Sequence, residues 1–208
     1  MKRALSLIIA TIFIMSILAV SSDTSSTENA ANVSGQIQYK KKGAQFVVYL
    51  EGDGEVSAVS DTVVIDQINK MYTPHVTTVP KGTTINFKNS DPFLHNVYCV
   101  DDNKGDGIFN HAITHFNKRG TFYTFNDAGL YILLCNVHPE MEGFILVTET
   151  PYAAVTDAET GSYSIANVPP GQYRLKIWQE KIKKKKLKKF DQDVTVAGGQ
   201  ELTMNFDF

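Results

Sequence analysis

Cys135, His138 and Met141 stand at the spacing C-x2-H-x2-M within the run from Tyr131 to Phe144. A thiolate, an imidazole and a thioether at three-residue intervals, with Pro139 turning the loop between the last two, can face a common centre. A second histidine lies upstream in Asn89-Ser90-Asp91-Pro92-Phe93-Leu94-His95-Asn96-Val97, where His95 opens a strand-like stretch. Thiolate and thioether are soft donors that favour Cu(I), and imidazole suits both copper oxidation states. Two histidines and a cysteine in a trigonal plane with a distant methionine are the donor set of electron-transfer copper. Zinc sites more often recruit several cysteines, or a carboxylate beside an open position. A Cys–His nucleophilic pair is the enzymatic rival, but it leaves Met141 and the upstream Asn-x-Asp-x3-His-Asn without a purpose. The residue types therefore point to one copper ion held by His95, Cys135, His138 and Met141.

The elements that must position these donors are strands. Short alternating or β-branched runs are expected at Val33–Tyr39, Gln45–Leu50, His75–Val79, Thr83–Lys88, His95–Val100, Thr121–Phe125, Leu130–Leu134, Phe144–Thr148, Ser162–Ile165, Tyr173–Trp178, Asp193–Val196 and Leu202–Phe206. Gly, Pro, Asn and Asp separate them, and no apolar 3.6-residue period appears after the N-terminal segment. Strands of about five residues spaced by turns indicate an all-β chain of sandwiches. Leu130–Leu134 would deliver the cysteine, and the strand opening at His95 would deliver the first imidazole. Cys99 lies four residues past His95, on the same face of an unbroken strand but about 13 Å away at 3.3 Å per residue. It is expected to be a buried free thiol outside the metal site. A Cys99–Cys135 disulfide would remove the thiolate the copper needs. His75, His111 and His115 read as packing or surface histidines, the last two in a loop-rich stretch from Gly107 to Asn117.

Composition sets the surroundings. The chain has 208 residues, 43% of them hydrophobic, with 20 basic and 22 acidic side chains. That near-neutral balance argues against a general nucleic-acid binder, and 2 cysteines exclude a disulfide scaffold. Met1-Lys2-Arg3 followed by the uncharged apolar run 4–20 and Ala19-Val20-Ser21 has the grammar of an export signal over residues 1–21. An uncleaved segment would instead tether the chain to a membrane. Residues 22–32 read as a flexible polar linker, so the remainder is expected to be secreted or periplasmic. Residues 61–149 hold 10 acids and 6 bases, whereas 150–208 hold 7 acids and 9 bases. Most of that basic surplus lies in Lys181–Lys189, expected to be an exposed loop able to contact an anionic surface weakly.

The stretch from Val76 to Val147 resembles the cupredoxins, the plastocyanin and amicyanin group in particular. The resemblance is carried by Val79-Pro80-Lys81-Gly82-Thr83 through Asp91, by His95-Asn96-Val97, and by Cys135–Met141 followed by Gly143-Phe144-Ile145-Leu146-Val147. The short His-to-Met step is similar to amicyanin. It implies an eight-stranded Greek-key β-sandwich with His95, Cys135 and His138 as equatorial ligands and Met141 as the axial one. It implies that Asn96 ties the first ligand strand to the loop after Cys135. It also implies that Pro92, Phe93, Leu94 and Pro139 form an apolar docking face around His138 for a redox partner protein. The activity implied is one-electron transfer by Cu(II)/Cu(I) cycling without substrate turnover. The alternative is copper storage or delivery with no carrier role.

Thr156–Ile165 and Val168–Trp178 read as two strands joined at Pro169-Pro170-Gly171 in a hairpin. They resemble the carboxypeptidase regulatory-like domain, a small transthyretin-like sandwich whose first strands look like Gly35–Tyr39 and Gly43–Leu50. The expected organisation is a cupredoxin at 61–149 inserted in a discontinuous sandwich of residues 33–60 and 150–208. The alternative gives residues 33–60 to the cupredoxin as its own first strands. The chain is expected to be a monomer.

Overall fold

A computed structural model describes residues 30–52 and 61–208. The expected export signal lies outside the described residues. So does most of the expected linker, which ends earlier than position 32 because Ala31 and Asn32 already belong to a strand.

The described chain is all-β apart from one short helical turn. The strands are β1 (Ala31–Gln38), β2 (Val47–Gly52), β3 (Val63–Ile68), β4 (Met71–Thr73), β5 (Val76–Pro80), β6 (Thr83–Phe87), β7 (His95–Asp101), β8 (Gly107–Ile113) and β9 (Thr121–Phe125). They continue as β10 (Gly129–Leu134), β11 (Glu142–Thr148), β12 (Ala153–Val155), β13 (Ser162–Val168), β14 (Gly171–Trp178), β15 (Gln192–Val196), β16 (Glu201–Thr203) and β17 (Phe206–Asp207).

Four sheets stack as two sandwiches. The order β5-β11-β10-β7-β8 faces β4-β3-β6-β9 across one core, built from Ile65, Tyr72, Ile85, Phe87, Val97, Phe125, Leu133, Ile145 and their neighbours. The order β12-β2-β14-β15 faces β13-β1-β16, with β17 also on β1, across a second core centred on Val33, Phe46, Leu50, Ile165, Leu175 and Phe206. β1 and β2 pair only with strands that follow residue 150. A third apolar layer of Val47, Val76, Phe144 and Leu146, with Tyr49 and Trp178 packed against it, lies on the outward face of β11.

Alternation places the donors. Along β7, His95, Val97 and Cys99 are buried on one face. Along β10, Tyr131 and Leu133 point inward, and Cys135 continues that phase one residue past the strand end. On β11, Ile145 and Val147 face the same core, and Met141 lies in phase with them just before the strand.

Several expectations are corrected. β13 and β14 do not form a hairpin: β13 pairs with β1, and β14 pairs with β2 and β15, so the Pro-Pro-Gly segment crosses from one sheet to the other. Gly107–Asn117 is not merely loop, because its first seven residues form β8 on β7. Polar Asn110 and His111 on an edge strand disguise its period. β3 and β4 are additions, since the buried polar Gln67 interrupts their apolar pattern. The lysine run folds into helix α1 (Lys184–Leu187) and a following 3-10 turn, pinned by buried Ile182 and Leu187 while its lysines face solvent.

Candidate metal centre

His95, Cys135 and His138 converge on one point. His95 Nδ1 lies 3.0 Å from His138 Nδ1, and Cys135 Sγ lies 3.8 Å from the first nitrogen and 3.9 Å from the second. Two imidazole nitrogens and a sulfur at those separations suit a single ion with ligand bonds of about 2.0–2.3 Å. His95 and Cys135 are buried and His138 is half-buried. Met141 is also buried, in the same apolar cluster as Cys135, and its backbone N–H donates to the His138 carbonyl at 2.9 Å. That bond closes the loop between the third and fourth candidate donors.

The tautomer of His95 is set by its far side. Its Nε2 lies 2.8 Å from Asp91 Oδ2, so Nε2–H donates to the carboxylate and Nδ1 keeps its lone pair for the centre. Asp91 is itself held by the turn between β3 and β4. Asn69 and Lys70 both adopt positive φ, at 54° and 57°, as a two-residue hairpin turn requires. Their amides donate to Asp91 Oδ1 at 2.7 Å and Oδ2 at 2.9 Å. Burial works against the Asp91 charge, but the Lys70 amide, the His95 ring and the Asn69 amide outweigh it and hold the carboxyl below its ordinary range.

Asn96 links the two ligand segments. Its Oδ1 accepts the Asn136 N–H at 2.7 Å and lies 3.4 Å from Cys135 Sγ, and its Nδ2 donates to Asn110 Oδ1 at 2.8 Å. An apolar face is expected beside His138. Pro92, Phe93, Leu94 and Pro139 are exposed, and the Phe93 ring centroid stands 5.2 Å from that of His95 and 5.6 Å from that of His138. Val137, absent from the expected face, is exposed there too. Cys99 is fully buried and free, as is the Cys135 thiol, so no disulfide joins them. Among the described residues, His75, His111 and His115 join no metal-binding group.

Asp91 stands in the upstream motif without a role that the motif assigns, and Tyr72 and Gln67 lie outside every motif. The Tyr72 hydroxyl donates toward Leu134 O at 2.9 Å and Asn96 O at 3.2 Å, and Gln67 Nε2 donates to Asn96 O at 3.3 Å. Asn89 and Asp91 carried a signal in the Asn-x-Asp step ahead of the histidine. Asn89 Oδ1 accepts the Asp91 amide, and Asn89 Nδ2 donates to the Phe93 and Ile113 carbonyls. Nothing local marks Tyr72.

No curated protein matches the chain significantly. Residues 137–204 match the family model of polysaccharide lyase family 4, domain II, so no carboxypeptidase regulatory-like domain is identified there. Among solved structures, a copper-containing nitrite reductase from Thermus scotoductus is 27% identical with a TM-score of 0.37, over 46% of this chain and 25% of its own. The chain thus spans about a quarter of that enzyme. A purple cupredoxin from Nitrosopumilus maritimus is 26% identical with a TM-score of 0.35, over 41% of this chain and 99% of its own. Amicyanin from Paracoccus versutus is 26% identical with a TM-score of 0.36, over 49% of this chain and 97% of its own. Residues 59–148 match the family model of copper binding proteins, plastocyanin/azurin family, and over that segment the chain has a cupredoxin-like copper-binding fold.

Proposed function

We propose that this chain is an exported electron carrier that holds one type 1 copper ion and passes single electrons. The observation that carries the reading is the convergence of two imidazole Nδ1 atoms and one thiol sulfur within 3.0–3.9 Å, at the edge of a buried core. His95, Cys135, His138 and Met141 would hold the ion through two imidazole nitrogens, a thiolate and a thioether, soft and borderline donors that suit copper. Copper bound there supplies a reversible Cu(II)/Cu(I) couple.

The protein's own contribution is rigidity and insulation. Asp91 fixes the His95 ring, Asn96 fixes the Cys135 loop, and the core around Met141 excludes water. A donor set that does not move between oxidation states needs little reorganisation, which favours electron transfer over substrate chemistry. All four candidate donors are buried or half-buried, which leaves little room for a substrate at the ion and favours a carrier over an enzyme. The exposed face of Pro92, Phe93, Leu94 and Pro139 brings a redox partner protein to the half-buried His138 edge. The lysine-rich α1 segment, remote in sequence from the ligands, supplies a weak contact for an anionic surface.

The test is addition of Cu(II) to the purified chain lacking residues 1–21. An intense blue thiolate-to-copper absorption with a reversible voltammetric wave is the expected outcome. A protein that binds only Cu(I), without colour, assigns it to copper storage or delivery instead.

A further inference from the structure

Beyond the donors, the structure shows what keeps them apart at the right distance. The β7–β10 ladder runs from Asp101–Tyr131 to Tyr98–Leu134 and ends there. Cys135 is one residue past that end, and His95 is three residues past it on the other strand. Two sets of contacts hold the separated ends. One is the Asn96 Oδ1 bond to the Asn136 amide. The other is the Tyr72 hydroxyl, which sits between the carbonyls of Leu134 and Asn96. The Leu134 carbonyl belongs to the peptide that leads directly into Cys135. Asn96 directly follows His95. One phenol therefore touches the neighbour of each of two buried donors, His95 and Cys135.

Tyr72 comes from β4, in the sheet opposite β7 and β10. It reaches the donors across the sandwich and is only 1% exposed. Room for it is left by Gly143 on β11: a Cβ there would stand 2.8 Å from Tyr72 Cβ and 3.0 Å from Cγ, closer than side-chain carbons approach. Gln67, from the neighbouring β3, adds a second donor to the Asn96 carbonyl. A hydroxyl has a single proton, so its bond is shared between the two carbonyls and responds to the distance between them.

We propose that Tyr72 is a positioning residue of the copper centre, its hydroxyl clasping the Leu134 and Asn96 carbonyls so that His95 and Cys135 keep their spacing. This rests on the copper reading given above, and its test has a metal-free arm that stands without it. In the first arm Cu(II) affinity and the thiolate-to-copper absorption are compared for the wild-type chain, Tyr72→Phe and Gly143→Ala, the latter pushing the ring off its seat. Loss of a partner outside the ligands typically weakens metal binding by about 10–100-fold. A weakening of about tenfold with a displaced absorption band is expected for Tyr72→Phe, and a change of the same sign for Gly143→Ala. Affinity within about twofold of wild type and an unmoved band in Tyr72→Phe would overturn the proposal, leaving Tyr72 as core packing only. In the second arm, hydrogen exchange of the Asn136 amide is followed in the metal-free proteins. Removing the hydroxyl should let the strand ends separate and speed that exchange several-fold, while amides in the β10–β11 ladder keep their rates. An unchanged Asn136 rate overturns the clasp. A wild-type chain that takes up no copper refutes the copper reading alone, and the Asn136 amide then decides whether Tyr72 joins the two segments.

Discussion

Replacing Asp91 by asparagine keeps the shape of the side chain and removes its charge. The carboxylate accepts three N–H groups, from Asn69 at 2.7 Å, Lys70 at 2.9 Å and His95 Nε2 at 2.8 Å. An amide has one accepting end. Turned so that its oxygen takes the Oδ2 place, it keeps Lys70 and His95 but sets its NH2 against the Asn69 N–H. Turned the other way, it sets the NH2 against both. The first arrangement is the better, and it still loses one hydrogen bond to a charged acceptor, about 1.5–3 kcal/mol. The two retained bonds drop from charge-assisted to neutral, roughly half as strong. Together these place the loss at about 3–6 kcal/mol, on the order of a hundredfold or more in the folding equilibrium. The retained bond to the His95 ring, which fixes its tautomer, is also weaker, so copper affinity should fall by about tenfold, the low end for partners outside the ligands. Urea unfolding of the metal-free protein, followed by far-UV circular dichroism, measures the first effect, and competition against a Cu(II) chelator measures the second. A stability loss under about 1 kcal/mol together with unchanged copper affinity would show that the turn amides and His95 do not depend on the carboxylate charge, and the account of the site would fail.

Cys135→Ser should abolish the blue absorption, whereas Cys99→Ser should keep it. Bleaching by the second substitution would mean that the wrong thiol has been placed at the centre. Burial, reinforced by Asp101, pushes the Cys99 thiol up to about 12, so it should resist iodoacetamide at pH 8 in the folded protein and react only on unfolding. The same shift has a sign for stability. An exposed thiol in the unfolded chain ionises near 8.5, so the contribution is intact below that pH and falls by about 1.4 kcal/mol per pH unit as pH rises toward 12. Metal-free Cys99→Ala should show a shallower alkaline decline than wild type, and equal slopes would refute the assignment. Lys184→Glu combined with Lys185→Glu and Lys188→Glu should weaken co-sedimentation with phosphatidylglycerol vesicles at low salt while leaving phosphatidylcholine vesicles unaffected. Binding that survives both the substitutions and high salt would remove the lysine segment from any surface contact.

What could be read from the sequence follows the distance over which each feature is written. Cys135, His138 and Met141 occupy seven consecutive residues, so their chemistry and spacing identify a soft-donor loop before any fold is known. His95 was legible because a strand phase begins at it, and the all-β class because the runs that became β6, β9, β10 and β11 are short, β-branched or aromatic, and bounded by turn residues. Strand partners were not legible. Ser162–Val168 and Gly171–Trp178 each alternate correctly, yet alternation says nothing about which sheet a strand joins, and the chain crosses between sheets at Pro169-Pro170. The lysine run hid a helical turn because only Ile182 and Leu187 are buried in it, too few to print a period. The hardest features to read belong to the frame around the donors. Asn69 and Lys70 meet Asp91 only because a two-residue turn with positive φ aims both amides at it. Tyr72 meets the Leu134 carbonyl only because β4 lies across the core, sixty-two residues away along the chain. A donor must be of a particular chemical type and so leaves a mark at its own position. A residue that spaces donors needs only a hydroxyl at the right point in space, and many residues elsewhere in the chain carry one. The ligand set and the rigidity of the centre are therefore encoded differently, and substitutions at Tyr72, Gly143 and Asp91 probe the second while leaving the first untouched.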